Sequence, residues 1–234
     1  MVWLRFIGEG REDVGIVLGN GENERRCGCL VPFVENILRA RSGRSVHFRH
    51  DSSLLPRLNL RAGRPRRGYK EKVKAALVAA NEDRRHGVVI VVDEPSSREG
   101  SRLSRLRDGR SAAREAGVWL PCALGVAIPE IESWLLADDR ARANNLGAAG
   151  RRPLRQPEEI DEPKALFSSL YGEYEKECEE SGKHVWEQWE VKESCAVDSR
   201  VDVVEFQCPR GFAPFADEVR TEIGNRLFPR KASR

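Results

Sequence analysis

The sequence predicts an α/β fold, with a parallel sheet covered by helices on both faces and a mainly helical C-terminal extension. Apolar runs typical of strands alternate with segments whose apolar residues recur at helical spacing, which favours a parallel sheet. The run 87–92 is continuously apolar, as expected of a strand with helices on both faces. Beyond about residue 150 the strand pattern fades. We therefore expect an α/β domain at 1–150 and a mainly helical extension at 151–234 that packs on it.

The first half of this domain begins with a short buried strand over 2–7, followed by a glycine-rich loop. Apolar residues at i, i+3 and i+4 spacing predict a helix over 29–41. A second strand is expected at 45–49. The stretch 51–69 combines proline and glycine with many arginines, which indicates an exposed loop.

The second half repeats the alternation. A helix over 70–85 leads into the strand 87–92, and a basic segment at 98–116 has a helical pattern. A strand near 118–127 runs into a helix that we expect to begin at Pro129, because proline suits the first helical turn. In the extension, helical patterns cover 162–180 and 212–227, with a tryptophan-containing stretch of undefined structure between them.

The composition favours a globular protein that stays in the cytoplasm. Of 234 residues, 40% are hydrophobic and 33% are charged. No apolar run approaches the ~18 residues of a membrane span, and the N-terminus lacks the pattern of a signal peptide. The six cysteines are scattered without CxxC pairs, as in reduced cytosolic proteins. We expect no membrane partner, and the sequence is compatible with a homo-oligomer.

The charge is unevenly distributed along the chain. Residues 38–74 carry 12 Lys/Arg against 2 acids, a balance of +10, whereas 155–205 carry 6 against 15, a balance of −9. This segregation favours a face that binds polyanions and a separate acidic face. Ordinary solvated surfaces are the alternative for both.

Acidic residues follow three of the predicted strands. Glu9 follows the first strand, Asp93 follows the run 87–92, and Glu130 and Glu132 follow the strand near 118–127. Carboxyl ends of parallel strands share one edge of the sheet, so these carboxylates should converge. Clustered carboxylates repel unless a cation offsets them, and hard oxygen ligands suit Mg²⁺ or Mn²⁺. The sequence therefore predicts a metal site, although solvated strand-end residues remain the alternative.

The two later acids are expected to have different roles. On a helix starting at Pro129, Glu130 and Glu132 diverge by about 200° and cannot face one ion together. One would coordinate the metal or orient water, and the other would cap the helix N-terminus. We take Glu9, Asp93 and Glu130 as the metal ligands and add Glu132 to the catalytic set.

Arginines near this edge are the candidates for nucleic-acid binding. Those in the loop 57–67 stand among prolines and glycines, and those of the basic segment follow Asp93, so both groups could position a phosphate backbone. The predicted nucleic-acid-binding residues are Arg57, Arg61, Arg64, Arg66, Arg67, Arg102 and Arg105.

Five stretches in order carry a resemblance to a known family: 8–10 (Gly-Glu-Gly), 91–93 (Val-Val-Asp), 128–138 (Ile-Pro-Glu-Ile-Glu-Ser-Trp-Leu-Leu-Ala-Asp), 157–164 and 208–215. The chain resembles small bacterial Toprim-like proteins found in phage-defence settings, related to the Toprim domains of topoisomerases, primases and OLD-family nucleases. In that fold a Glu ends the first strand and an Asp-x-Asp ends the third, and together they bind Mg²⁺.

This chain departs from the pattern at Pro95, where the family would place the second acid. Adjacent side chains of an extended backbone point to opposite sides, so Glu94 cannot simply replace that acid. The departure leaves open a site with one metal or with reduced activity.

The resemblance implies Mg²⁺- or Mn²⁺-dependent hydrolysis of DNA or RNA. None of the three tyrosines lies in a topoisomerase-like motif, and no polymerising module is present, so hydrolysis is the simpler chemistry. Two alternatives stay open. One is a non-catalytic metal- or nucleic-acid-binding subunit, which Pro95 favours. The other is an effector held by an ABC/OLD-type ATPase, with the acidic segment 155–205 as its docking surface.

Overall fold

A computed structural model describes residues 1–15, 28–55, 68–95 and 100–229. Within these residues it confirms the predicted α/β class, because all four strands pair in parallel and helices cover both faces of the sheet. The C-terminal part is helical, as expected.

The four strands are β1 (Val2–Gly8), β2 (Phe48–Leu54), β3 (Gly87–Asp93) and β4 (Cys122–Ala127). Their order in the sheet is β2-β1-β3-β4. The chain therefore moves outward from β1 to β2 and then returns across β1 to β3. In parallel sheets of this order, the loops after β1 and β3 diverge and leave a ligand crevice between them.

The helices alternate with these strands and then follow one another to the C-terminus. No described helix is long and apolar enough to span a bilayer. A 3₁₀ turn spans Pro157–Glu159, and a π-helical turn spans Val219–Gly224. The helices are α1 (Arg11–Val14), α2 (Leu30–Ser42), α3 (Tyr69–Glu82), α4 (Ser101–Glu115), α5 (Glu132–Ala137), α6 (Asp139–Gly150), α7 (Pro163–Ser181), α8 (Gln188–Asp198), α9 (Val201–Gln207), α10 (Phe212–Glu218) and α11 (Asn225–Leu227).

The continuous apolar run of β3 is explained by its two covered faces. Successive strand side chains point to opposite sides of a sheet. Val88, Ile90 and Val92 pack toward α3 and α4, whereas Val89 and Val91 pack toward α2 and the C-terminal helices. All five side chains are buried, which is why no polar alternation appears in this strand.

The C-terminal helices belong to the same buried cluster as the sheet. The ring of Phe215 stacks on Trp134 at 5.2 Å between centroids, and Phe212 meets Trp134 at 5.1 Å in a T-shaped arrangement. Phe215 also lies over β4, where a Cβ added to Gly125 would come within 2.6 Å of it. This contact explains why a glycine occupies the middle of a buried strand.

Several predicted elements differ from the structure; the strand expected near 118–127, for example, spans only Cys122–Ala127. The second strand begins at Phe48 and continues through Leu54, although 51–54 was expected to be loop. Among the described strands it is an edge strand paired with β1, and Asp51 on it binds Arg5, so polar residues are tolerated there. Pro129 precedes the helix rather than starting it, because α5 begins at Glu132.

Candidate functional site

Glu9 and Asp93 meet in the crevice between β1 and β3. Asp93 is the last residue of β3, and Glu9 directly follows β1. The backbone N–H of Asp93 donates to Glu9 Oε2 at 3.1 Å. The two strands pair directly, so their carboxyl ends bring these residues to one edge of the sheet.

Two side chains from helices α3 and α4 bind the Glu9 carboxylate. The Tyr69 hydroxyl donates to Oε1 at 2.7 Å, and Arg102 Nη1 lies 3.3 Å from Oε2. The same Arg102 nitrogen donates to the backbone carbonyl of Asp93. The Arg102 guanidinium also lies 5.3 Å from the Tyr69 ring centroid. Both Glu9 oxygens are thus engaged by groups of the protein itself.

A further carboxylate, Asp13, joins the cluster from α1. Its Oδ2 accepts a hydrogen bond from the Gly10 backbone N–H at 2.7 Å. Burial, together with repulsion from Glu132, raises the pKa of Asp13 to about 6. The Gly10 hydrogen bond and the charge of Lys192 act in the opposite direction.

Glu130 and Glu132 have different partners, but they do not lie two apart on one helix as expected. Glu132, the first residue of α5, is buried and forms an ion pair with Lys192 Nζ at 2.8 Å. Glu130 lies before α5 and accepts from the Lys164 backbone N–H at 3.3 Å, at the N-terminus of α7. Glu130 therefore caps α7, which is a different helix from the one expected.

The negative charge of this cluster makes Asp93 a weaker acid than usual. Burial, together with the neighbouring carboxylates of Asp13, Glu132, Glu9 and Glu130, raises the pKa of Asp93 to about 8. Four carboxylates are therefore close enough to Asp93 to disfavour its ionised form. Such an excess of negative charge is relieved by a proton or by a bound cation.

A divalent cation is the group that the family resemblance implies here. The site contains five carboxylates and only three basic side chains, so negative charge is in excess. Carboxylate oxygens are hard donors that fit Mg²⁺ or Mn²⁺. Over the described ranges, however, no three acidic, cysteine or histidine side chains are placed to hold a metal ion together. The donor chemistry thus fits a metal, while the present side-chain positions bring only part of a ligand set together.

Glu94 has a structural role on the other side of the strand end. It is fully buried, and its carboxylate accepts from the backbone N–H of Gly100 at 3.1 Å and of Arg102 at 2.6 Å. It also accepts from the Ser101 hydroxyl at 3.2 Å. Glu94 caps the N-terminus of α4, so it does not replace the acid missing at Pro95.

The predicted arginines fall into two groups, those on α4 and those outside the described residues. Arg102 points into the carboxylate cluster, and Arg105 is exposed on α4. Further along α4, Arg110 and Arg114 bind Glu218 and Glu222 of the C-terminal helices, so neither is available for phosphate in this arrangement. The remaining five predicted arginines lie outside the described residues: Arg57, Arg61, Arg64, Arg66 and Arg67.

Sequence reasoning missed two members of the cluster, Tyr69 and Lys192. Tyr69 opens α3 directly after the arginine-rich stretch, and nothing in its sequence neighbourhood distinguishes it. Lys192 lies on the buried face of α8, together with Cys195 and Ala196. A lysine among apolar residues on one helix face was therefore the only sequence signal for its role.

No protein-family model, curated protein or solved structure matches this chain.

Proposed function

We propose that this protein is a metal-dependent phosphodiester hydrolase of the Toprim type that acts on nucleic acid. One observation carries the proposal: Glu9 and Asp93 meet at the β1/β3 crevice inside a cluster of five carboxylates. This crevice is the position where parallel α/β sheets bind ligands, whatever the family. The resemblance of 8–10 and 91–93 to Toprim motifs agrees with it.

The residues of the chain have distinct roles in this proposal. Glu9 and Asp93 would hold Mg²⁺ or Mn²⁺, with Asp13 and Glu132 adding negative charge nearby. When bound, the cation supplies charge stabilisation for the phosphoryl oxygens and acidity for a water molecule. Arg102 stands beside Glu9, and its guanidinium can bind a phosphate in a bidentate manner.

A non-catalytic binding subunit is the second candidate function. The observation that favours it is that Tyr69, Arg102 and the Asp93 N–H already occupy both oxygens of Glu9. Pro95 in place of the second motif acid points the same way. In this case the cluster would bind a metal or nucleic acid without cleaving it.

The family resemblance extends the proposal to partners. An ABC/OLD-type ATPase would hold this chain as the effector of an anti-phage system, with the acidic segment 155–205 as its docking surface. The balance of −9 in that segment supports a separate, non-nucleic-acid face.

Cleavage assays with a matched pair of variants test the proposed activity. Wild type is incubated with DNA and with structured RNA in Mg²⁺, in Mn²⁺ and in EDTA. We expect cleavage with either metal and none with EDTA. Asp93→Asn should lower the rate about 100-fold, because an amide loses the charge of the ligand but keeps its shape. Asp108→Asn, at an exposed position on α4, is the control and should cleave normally.

The outcomes separate the two candidate functions. Full activity of a folded Asp93→Asn variant would exclude a hydrolytic role for this cluster. Absence of cleavage by wild type under every metal, together with metal-dependent nucleic-acid binding that Asp93→Asn abolishes, would instead support the non-catalytic subunit.

A further inference from the structure

Two cationic side chains lie beside the ring of Tyr69, next to the carboxylate cluster. The Lys72 ammonium is 5.9 Å from the ring centroid, and the Arg102 guanidinium is 5.3 Å from it. The hydroxyl of the same ring donates to Glu9 Oε1 at 2.7 Å. Both cations therefore lie near the edge of the sheet at which the candidate metal ligands meet.

The protein uses only one of the three nitrogens of the Arg102 guanidinium. Nη1 makes both of its hydrogen bonds, to Glu9 Oε2 and to the Asp93 carbonyl. Within the described ranges, Nε and Nη2 donate to no other group, and the side chain is 25% exposed. These two nitrogens form the edge with which an arginine binds two oxygens of one phosphate. The Nη1 contacts thus orient the guanidinium and leave its phosphate-binding edge unused.

Lys72 brings a second positive charge to the same ring. Across the part of the chain that the structure describes, its ammonium forms no ion pair, and its contact there is with Tyr69. None of the residues three or four positions away along the sequence is acidic, so no i,i+3 or i,i+4 ion pair can form along α3. The side chain is partly exposed. Lys72 was not among the predicted nucleic-acid-binding residues.

We propose that Lys72 and Arg102 bind two successive phosphates of the substrate strand beside the metal. Arg102 contacts the candidate ligand Glu9 itself, so its unused edge takes the scissile phosphate. Lys72 stands beside the same tyrosine ring, and its compact ammonium takes the neighbouring phosphate. The pair rests on the proposed function, because it assigns the substrate contacts of that site. It requires a nucleic-acid strand rather than a mononucleotide, and such contacts are independent of base sequence.

Oligonucleotide binding in EDTA tests the pair without any dependence on cleavage. The probe is a short fluorescein-labelled single-stranded DNA, and binding is followed by fluorescence anisotropy over a range of salt concentrations. Lys72→Ala should weaken binding about five-fold, the loss expected for one exposed ion pair. It should also lower the log–log salt slope by about 0.7, the contribution of one phosphate contact on a single strand. Lys72→Arg keeps the charge and should restore both values.

Lys74→Ala is the matched control on the same helix. Its side chain points about 200° away from that of Lys72 around the axis of α3, so affinity and salt slope should stay close to those of wild type. Unchanged affinity of Lys72→Ala would overturn the proposal. Equal losses for the two alanine variants would also overturn it, because Lys72 would then be part of a general basic surface.

Arg102→Lys tests the other half of the pair. Lysine keeps a positive charge beside Glu9 but has no second edge for a phosphate. We expect binding about ten-fold weaker than wild type, the loss of one charge-assisted hydrogen bond, in a variant whose thermal unfolding is unchanged. Affinity equal to that of wild type would show that the Nε/Nη2 edge does not bind phosphate.

Cleavage kinetics in Mg²⁺ separate failure of this pair from failure of the proposed hydrolysis. Lys72→Ala should raise KM about five-fold at an unchanged kcat, because the contact is the same in the ground state and the transition state. If wild type cleaves and Lys72→Ala has an unchanged KM, the pair is disproved and the hydrolysis stands. If wild type cleaves nothing but Lys72→Ala binds selectively more weakly, the hydrolysis fails and the pair stands as the phosphate contact of a non-catalytic site.

Discussion

At the scale of single residues, the carboxylate cluster is dominated by the raised pKa of Asp93. An acid whose pKa is higher in the folded state than in the unfolded state binds more protons when folded. The protein therefore loses stability as the pH rises from the unfolded value of about 4 toward the folded value of about 8. Asp13 acts in the same direction over a narrower interval, up to about 6.

Asp93→Asn should consequently stabilise the metal-free protein at high pH. The hydrogen bonds that Asp93 makes to Glu9 and Arg102 use its backbone, so the variant keeps them. In EDTA at pH 8 we expect the free energy of unfolding of the variant to exceed that of wild type by about 1–2 kcal/mol, and at pH 5 only about a third of this difference should remain. Urea unfolding at both pH values, with Asp108→Asn as control, measures this. A difference that does not depend on pH would mean that Asp93 is not buried among ionised carboxylates.

The residues of the cluster were not equally predictable. Glu9 and Asp93 follow apolar strands, and the geometry of parallel sheets alone places them at one edge. Tyr69 and Lys192 reach the cluster from helices 60 residues from their partners in sequence. Contacts of that kind depend on how helices pack and leave no local pattern in the sequence.

At the scale of elements, one buried ion pair joins α8 to α5. The side chains of Lys192 and Glu132 are 3% and 7% exposed, so the pair is almost removed from water. Lys192 also opposes the charge of Asp13. A single lysine of the C-terminal extension thus partly neutralises the site that the sheet builds.

Lys192→Met should be strongly destabilising because it leaves these carboxylates buried without their cation. We expect a loss of about 3 kcal/mol at pH 8, the usual cost of breaking a buried pair by removing one partner. The loss should be smaller at pH 5, where Asp93 and Asp13 are largely protonated. Thermal and urea unfolding measure both values, and Lys176→Met, at an exposed position on α7, is the control. Equal losses at the two pH values would show that the lysine does not neutralise the cluster.

Element boundaries were predicted well where local sequence determines them and poorly where contacts distant in sequence do. The apolar run 87–92 and the helical spacing of 29–41 predicted β3 and α2 closely. The second strand was predicted too early because Asp51, Ser52 and Ser53 resemble a loop. Their strand conformation comes from pairing with β1, and Arg5 and Arg85 bind Asp51. Those partners are distant in sequence, so the residues around Asp51 do not reveal them.

At the scale of the whole molecule, the helical extension and the sheet form one buried cluster. Trp134, Phe212 and Phe215 pack together, and α4 is tied to the same region by Arg110, which binds Glu218 at 2.5 Å. The basic helix that was expected to bind phosphate therefore uses part of its charge inside the fold. Because the sheet and the extension share this packing, we expect them to unfold together.

Gly125→Ala tests that shared packing directly. The added methyl group would come within 2.6 Å of the Phe215 ring and 3.0 Å of its Cγ, so α10 would have to move away from β4. We expect a loss of about 1–3 kcal/mol, the usual cost of overpacking a core, and a single unfolding transition seen equally by tryptophan fluorescence and by far-UV circular dichroism. Gly172→Ala is the matched control, because, apart from its chain neighbours and the nearby backbone of α7, no described atom lies within 4 Å of the added methyl group. That change should stabilise the protein by about 0.5–1 kcal/mol through helix propensity. A Gly125→Ala variant as stable as wild type would show that Phe215 does not pack on the sheet, and two separate transitions would show that the extension folds as its own unit.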